Sequence, residues 1–411
     1  MESPADRSSF RSYLAFFGGQ QASMLGSSVV QFAIIWWITD KTGSAMYLSA
    51  AMLAGFAPMI LLAPFAGVLA DRWNRKRLIA VVDFLQALTT VTLIGLFTMG
   101  VGSIWFVLLI LAARSLCQAF HVPAAEAIVP IMVPQDKLGR MNALSYLLTG
   151  VMNLIGPVLG AILLSFLSIE QALWIDPATF LVAIVPLLLI KIPAIRMGVK
   201  KPSFRKDMAE GLSFIRRKRG FVPLIFMATL LNFLFMPVAT LLPYFVKFDH
   251  LGGVNELALV MAASQGGMFV GGLLMLMKRE FSQKMLATVS CVAFTYVGYA
   301  LLAVTPMGLF WFMAIGIFIM DFSVAPANIT LRTIIQVVVP PEIQGRVNSV
   351  TMSLASAASP SGMILAGILV GYTGTTNLFL ACAATGAIVL LLSWLFTDMR
   401  HAEERDVTPP T

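Results

Sequence analysis

A chain of 411 residues that is 58% hydrophobic and 12% charged falls well short of the about 25% charged residues carried by a water-soluble globular domain, so most of it is solvated by lipid. Its three cysteines, Cys117, Cys291 and Cys382, lie scattered in apolar stretches, which excludes a disulfide framework and a zinc site. The net charge of +8 raises the question of nucleic acid, which the placement of the charge answers below.

Apolar runs of about 20 residues recur from end to end, each long enough to cross the hydrocarbon core. Backbone amides in lipid must be satisfied within their own segment, so these runs are helices. The alternating ten-residue segments of a β-barrel are missing. The polar opening, Met1 to Arg11, leads into a long span rather than a short cleavable leader. Spans are predicted at 12–38, 45–69, 78–99, 103–128, 141–166, 172–192, 221–246, 256–277, 284–304, 307–335, 345–370 and 376–397. Connections are short except at the midpoint, where a polar, basic segment runs from Pro193 to Gly220. The expected plan is a first six-helix bundle (1–193), a basic cytoplasmic linker (194–220), a second bundle (221–398) and a cytoplasmic tail (399–411).

Orientation follows from the basic residues. With both termini cytoplasmic, the inner loops and tails collect 24 of the 28 Lys and Arg, and the outer loops keep only Lys41 and Lys247. That bias obeys the positive-inside rule. Contact with anionic lipid headgroups accounts for the charge, and no nucleic-acid partner is expected.

The chain also repeats itself. Val133-Pro-Gln-Asp-Lys-Leu-Gly-Arg-Met-Asn-Ala143 and Val339-Pro-Pro-Glu-Ile-Gln-Gly-Arg-Val-Asn-Ser349 share one pattern at an offset of 206 residues, and the same offset sets Gly156 opposite Gly362. A match in the same loop of each half implies a duplicated six-helix unit, with both copies running in the same direction.

Gly67-x-x-x-Asp71-Arg72-x-x-Arg75-Lys76-Arg77, after the second span, resembles the loop 2–3 signature of the major facilitator superfamily. A glycine permits close helix approach, and Asp71 can cap a helix end and bind Arg75 one turn on. The resemblance implies an inner-gate lock completed by an acid at the inner end of span 4, where Glu126 stands. The corresponding loop of the second half, Gly271 to Arg279, has no acid. In span 5, Gly156-Pro157-x-x-Gly160 resembles the motif of export-type, proton-coupled branches; generic small-residue packing is the alternative reading. Trp36-Trp37, Thr42-Gly43-Ser44, Pro58, Pro64 and Trp174-Ile-Asp176-x3-Phe180 are similar to the macrolide-efflux-like branch of drug exporters. Taken over nearly the whole chain, the resemblance implies an all-α integral membrane protein with twelve transmembrane helices in two pseudo-symmetric bundles. It also implies alternating access, a plasma-membrane location and a monomer. Export of amphipathic or hydrophobic small molecules against inward proton movement is the implied activity, with siderophore or lysophospholipid transport, or a membrane sensor, as alternatives.

Charges within spans mark function, because each is costly in hydrocarbon unless paired or wetted. Arg114 resembles the family's span 4 arginine. The acids counted within spans are Asp83, Glu126 and Asp321. Asp321 and Arg332 lie eleven residues apart on nearly one face of span 10. Glu126 is expected to meet Arg332 when the inner gate closes, and Arg114 and Asp321 to influence each other across a cavity; local pairing within each half is the alternative. Asp321 is the first candidate proton carrier, since burial disfavours a charged carboxylate, and Asp83 the second. Cavity-lining candidates are Gln20, Gln21, Met24 and Gln31 in span 1, Asn232, Phe235 and Met236 in span 7, Gln265 in span 8 and Asn328 in span 10. Helix-to-helix hydrogen bonding is the competing role for the polar ones. His121, His250 and His401 read as isolated, and no phosphate-binding loop or catalytic constellation appears, so neither an enzyme nor a cofactor is expected.

Overall fold

The computed structural model describes residues 4–190, 204–277, 281 and 283–404, without the side chains of 4–9, 63–65, 67–72 and 204–207. Those residues are helical almost throughout, and no strand occurs among them. Twelve helical segments among them are long and apolar enough to span a membrane. They match the twelve predicted spans in order.

Two compact units divide the chain: Met1–Gly198 with Gly253–Ala258, and Val199–Gly252 with Leu259–Thr411. The first unit contains α1 (Pro4–Thr42), α2 (Ala45–Arg72), α3 (Arg75–Thr98), α4 (Ile104–Glu126) and a short α5 (Val129–Met132) that extends the fourth span. A 3₁₀ turn (Gln135–Lys137) then leads into α6 (Leu138–Phe166), and α7 (Ile169–Leu173) and α8 (Ile175–Leu189) together make the sixth span. The second unit contains α9 (Phe204–Arg217), α10 (Phe221–Tyr244) with a π turn at Phe245–Asp249, α11 (Val254–Met277) from Leu259 onward, and α12 (Lys284–Ala303). It continues through α13 (Phe310–Val338), α14 (Pro341–Ala357), α15 (Ser359–Thr373), α16 (Thr375–Phe396) and a closing 3₁₀ turn (Asp398–His401).

Burial is inverted relative to a soluble protein. Large apolar side chains such as Phe166, Leu189, Met277 and Phe396 stand more than three-quarters exposed, at 83, 77, 82 and 79%. In water such a surface would aggregate; against lipid tails it is the solvated face. Exposed Trp105, Trp174, Trp311 and Tyr372 sit at helix ends opposite the basic turns, the position of an interfacial aromatic belt.

Without a hydrophobic force between helices in lipid, close packing relies on small residues. In the first unit, α6 lies on α1 through Gly156 and Gly160. A methyl group at Gly156 would collide with the Ser28 side chain, and one at Gly160 would come within 2.7 Å of the Phe32 ring. In the second unit, Gly362 of α15 meets α10 in the same way, with a methyl there 2.8 Å from Met236 Cβ. The glycine pair read from the repeat therefore does one job twice.

Two features add to the sequence reading. The midpoint segment was expected as a linker, yet within it Phe204–Arg217 is a 14-residue helix. Ile215 is buried, Gly211 lies against the Arg346 carbonyl of α14, and Glu210 pairs with Arg346 at 2.7 Å. The described start of the tail is packed as well, with Met399 and Ala402 both buried. Arg219 donates to Asp398 at 2.8 Å, Lys218 Nζ donates to the Glu404 carbonyl at 2.7 Å, and the Met285 amide at the start of α12 donates to Glu403 at 3.0 Å. Gly220 permits this approach: its φ is +78°, and a Cβ there would lie 2.5 Å from the Asp398 carbonyl.

Candidate functional site

The first unit holds a polar network that joins four helices. Arg114 of α4 is 7% exposed and Asp176 of α8 is 4% exposed. Arg114 Nη1 donates to Asp176 Oδ2 at 2.6 Å and also bonds Thr90 Oγ1 of α3. Ser27 of α1 donates to Asp176 Oδ1 at 2.8 Å, and Thr90 Oγ1 donates to Oδ2 at 2.5 Å. Arg114 Nη2 reaches Ser27 Oγ at 3.3 Å. A buried charge persists in hydrocarbon when an opposite charge and several donors satisfy it, and this carboxylate has all of them.

Asp176 therefore belongs among the acids within spans, and the count of Asp83, Glu126 and Asp321 left out this partner of Arg114. A partner so far along the chain carries no local signal. Trp174-Ile-Asp176 stood out only as a resemblance, and the acid sits in the first turn of an apolar helix where a capping role would be the ordinary reading.

A second cluster lies nearer the α2–α3 turn. Gln20 Nε2 donates to Asp83 Oδ2 at 3.1 Å, His121 Nε2 is 3.1 Å from Asp83 Oδ1, and the same nitrogen is 3.1 Å from Gln20 Oε1. Close by, Gln118 of α4 donates to Gln86 of α3 at 2.9 Å. His121 is thus not isolated. Nor is His250, whose ring nitrogens lie 3.1 Å from the Phe245 carbonyl and 3.0 Å from the Thr305 carbonyl.

In the second unit the buried carboxylate among the described residues is Asp321. Asp321 of α13 is 1% exposed. Its Oδ2 accepts from Ser264 of α11 at 2.5 Å, and its Oδ1 has no hydrogen-bond partner among the described residues. Arg332, on the same helix, is exposed and is not bonded to it. Local partners, the alternative reading, hold both Arg114 and Asp321.

An open cleft lies inside the second unit among α10, α12, α13 and α16, its volume of about 470 Å³ including the solvent beyond its mouth. Leu231, Met285 and Leu331 supply apolar wall, while Asn232, Thr288 and Asn328 bring the polar groups. Two of the sequence candidates, Asn232 and Asn328, thus meet in one place. Asn232 also donates to the Ala228 carbonyl at 2.9 Å, which leaves its side-chain oxygen free for a guest. A mostly apolar wall with a few convergent polar groups is the usual make-up of a small-molecule site.

The other candidates spread out. Gln20 is committed to Asp83 and His121, as above. Gln21 keeps a buried side-chain oxygen without a partner among the described residues. Met24 is half-buried and Gln31 exposed on α1. Phe235 and Gln265 are half-buried, and Met236 packs on Gly362. Glu126 is exposed at the end of α4. In the loop 2–3 motif, the side chains of Gly67, Asp71 and Arg72 lie outside the described residues. Arg75 opens α3, and the cap of that helix is Asn74, whose side chain accepts from the Arg77 amide at 3.1 Å.

Twelve spans in a repeated six-helix plan, with charges held inside the spans and a polar-tipped apolar pocket, make a multi-pass membrane transporter rather than an enzyme. The Major Facilitator Superfamily profile matches residues 16–361 and 310–410, and the chain belongs to that superfamily. It is 29% identical to macrolide efflux protein A of Streptococcus pyogenes over 395 residues, covering 95% of this chain and 97% of that one. Against the multidrug efflux pump Tap of Mycolicibacterium fortuitum it is 26% identical, with 93% of this chain and 94% of that protein covered. Among solved structures, a bacterial homologue of the iron transporter ferroportin in an inward-facing state superposes with a TM-score of 0.73 at 14% identity, over 95% of this chain and 99% of that one. The nucleoside transporter NupG superposes at 0.66 and 17%, over 91% and 98%. At those identities the likeness is one of fold.

Proposed function

We propose that the protein exports amphipathic or hydrophobic small molecules, macrolides among them, across the plasma membrane by alternating access of its two units, driven by inward movement of protons. The pocket of α10, α12, α13 and α16 carries this reading. Its leucine and methionine walls suit a greasy guest of variable shape, since methionine adapts to irregular surfaces, and Asn232 and Asn328 offer hydrogen bonds to a neutral or weakly charged polar edge. The sequence likeness to macrolide and multidrug efflux proteins along nearly the whole chain supports the same substrate class. The loop bias of 24 inner against two outer basic residues supports an orientation with both termini cytoplasmic. In this reading Glu126, Arg332 and the Gly67–Arg75 motif belong to the inner gate, Gly156, Pro157 and Gly160 to the packing of the export branch, and the protein works as a monomer among anionic lipids.

The test is uptake of erythromycin, ethidium and a lysophospholipid into proteoliposomes under an imposed pH gradient. Asn232→Ala and Asn328→Ala are expected to raise the half-saturating concentration of the transported compounds by about fivefold or more each, the worth of one hydrogen bond. Unchanged half-saturation in both variants sinks the pocket as the substrate site, and absence of flux for all probes sinks the export reading.

A further inference from the structure

The first unit holds a three-residue cluster whose hydrogen bonds constrain where its protons sit. Gln20 Nε2 donates to Asp83 Oδ2, so the amide oxygen of Gln20 is the atom facing His121 Nε2 at 3.1 Å. On its other side that nitrogen faces Asp83 Oδ1, also at 3.1 Å. With Asp83 ionised, both neighbours are acceptors. Nε2 must therefore carry a hydrogen, and in a neutral ring the lone pair then belongs to Nδ1. No hydrogen bond is made by His121 Nδ1 among the described residues, and the side chain is 17% exposed, against 6% for Asp83. The cluster is a carboxyl group held by two side chains, and the ring nitrogen on the far side of His121 makes no hydrogen bond among the described residues.

We propose that Gln20, Asp83 and His121 form a proton-binding site of the transport cycle, at which a proton adds to the lone pair of His121 Nδ1 and the resulting imidazolium is held by Asp83. No bond other than N–H forms, and the proton leaves by the same atom. The inference rests on the proton-driven reading above and names the group that does the coupling. An imidazole is suited to this task because its protonation lies near physiological pH, and a carboxylate beside it lets the charge exist away from water. Loss of the proton leaves a neutral ring still donating Nε2–H to the same carboxylate, so the site can load and unload without repacking α1, α3 and α4.

The titratable surroundings are few. On α4, Cys117 lies one turn before His121, Arg114 is already engaged with Asp176, and Glu126 is exposed at the helix end. On α1, Tyr13 is buried about two turns before Gln20, with Arg11 exposed beyond it. On α3 there is nothing between Asp83 and the basic start of the helix, where Lys76 donates to the carbonyls of Leu188 and Ile190 at 2.6 and 2.7 Å. The sole acid of α8 is Asp176, and α5 has no titratable side chain. On α6 only Arg140 and Tyr146 titrate, both exposed, and on α2 only Tyr47 at the opposite end and Asp71 and Arg72, whose side chains lie outside the described residues. Arg114 lacks free charge to offer, so Asp83 is left as the counter-ion of His121.

The experiment compares two modes of erythromycin transport in proteoliposomes: exchange at equal pH on both sides, and accumulation against its gradient with an acidic lumen. Wild type is expected to do both. His121→Gln and Asp83→Asn are expected to keep exchange and to lose accumulation by about tenfold or more, as the loss of a coupling site requires. If wild type exchanges but does not accumulate, the proton-driven reading fails and takes this proposal with it. If wild type accumulates and either variant does so equally well, the proposal alone falls. Loss of exchange together with accumulation marks a structural role and also overturns it. A readout independent of variant folding is nitrogen-15 histidine NMR of the wild-type protein. His121 is expected as the Nε2–H tautomer, passing to imidazolium on acidification; a persistent Nδ1–H tautomer would overturn the proposal.

Discussion

The two units share a packing plan and differ in what they bury. Gly156 and Gly160 set α6 on α1, and Gly362 sets α15 on α10, at positions the repeat makes equivalent. Yet the first unit buries an Arg114–Asp176 pair with two hydroxyl donors and a separate Gln20–Asp83–His121 cluster, while the second buries one half-satisfied carboxylate, Asp321, and opens an apolar pocket. Backbone approach in lipid tolerates little variation, because a side chain at a contact glycine meets another helix directly. Polar content is free to diverge provided each buried group finds a partner.

The sharpest break of that comparison comes from the ion pair. Asp176→Asn or Arg114→Met leaves one buried charge unpartnered and is expected to destabilise the first unit by about 3–5 kcal/mol, read as a lowered thermal midpoint in detergent. The double change to an apolar pair is expected to recover most of the loss, and a double variant as unstable as the singles would mean that the hydroxyl donors, not the pairing, hold the helices. Next in size are the glycines. Gly156→Ala and Gly362→Ala are each expected to cost about 1–3 kcal/mol through overpacking. Similar costs in the two units sharpen the claim of a shared packing plan, and a harmless Gly362→Ala would break it. Asp321→Asn is expected to change stability by no more than about 1 kcal/mol, since Ser264 can still donate to the amide oxygen. A change as large as that at Asp176 would erase the contrast between the units.

The smallest effect lies outside the spans. The hydrogen bond from Arg219, followed by its charge, holds the exposed Asp398 carboxyl below the ordinary carboxylate range. A depressed folded-state value gives stability that is present above the unfolded value and is lost as pH falls through the folded one. Thermal midpoints of wild type and Asp398→Asn are therefore expected to differ slightly at neutral pH and to converge in acid.

Span number and the repeat were legible because each rests on local signals: run length, and a motif that recurs at a fixed offset. The pairing of residues was not. Arg114 demanded a partner by its cost alone, but Asp176 is 62 positions away and only the packing of α4, α3 and α8 brings it close. His121 looked isolated for the same reason, since Asp83 and Gln20 reach it from other helices. The α9 helix was hidden by its charge, because a helix that lies against one neighbour needs few apolar residues. Asn232 and Asn328 were readable as polar residues in apolar helices, and their meeting in one pocket followed only from the fold.

The strap formed by Asp398, Glu403 and Glu404 sets an order on biogenesis. The first amides of α12 and the basic turn before α10 take their partners from residues synthesised more than a hundred positions later. The second unit therefore cannot complete this rim while its helices are being translated; that step waits for residues 398–404. A fusion joined before Glu404 would leave the rim open, whereas one joined well beyond it would let the unit finish.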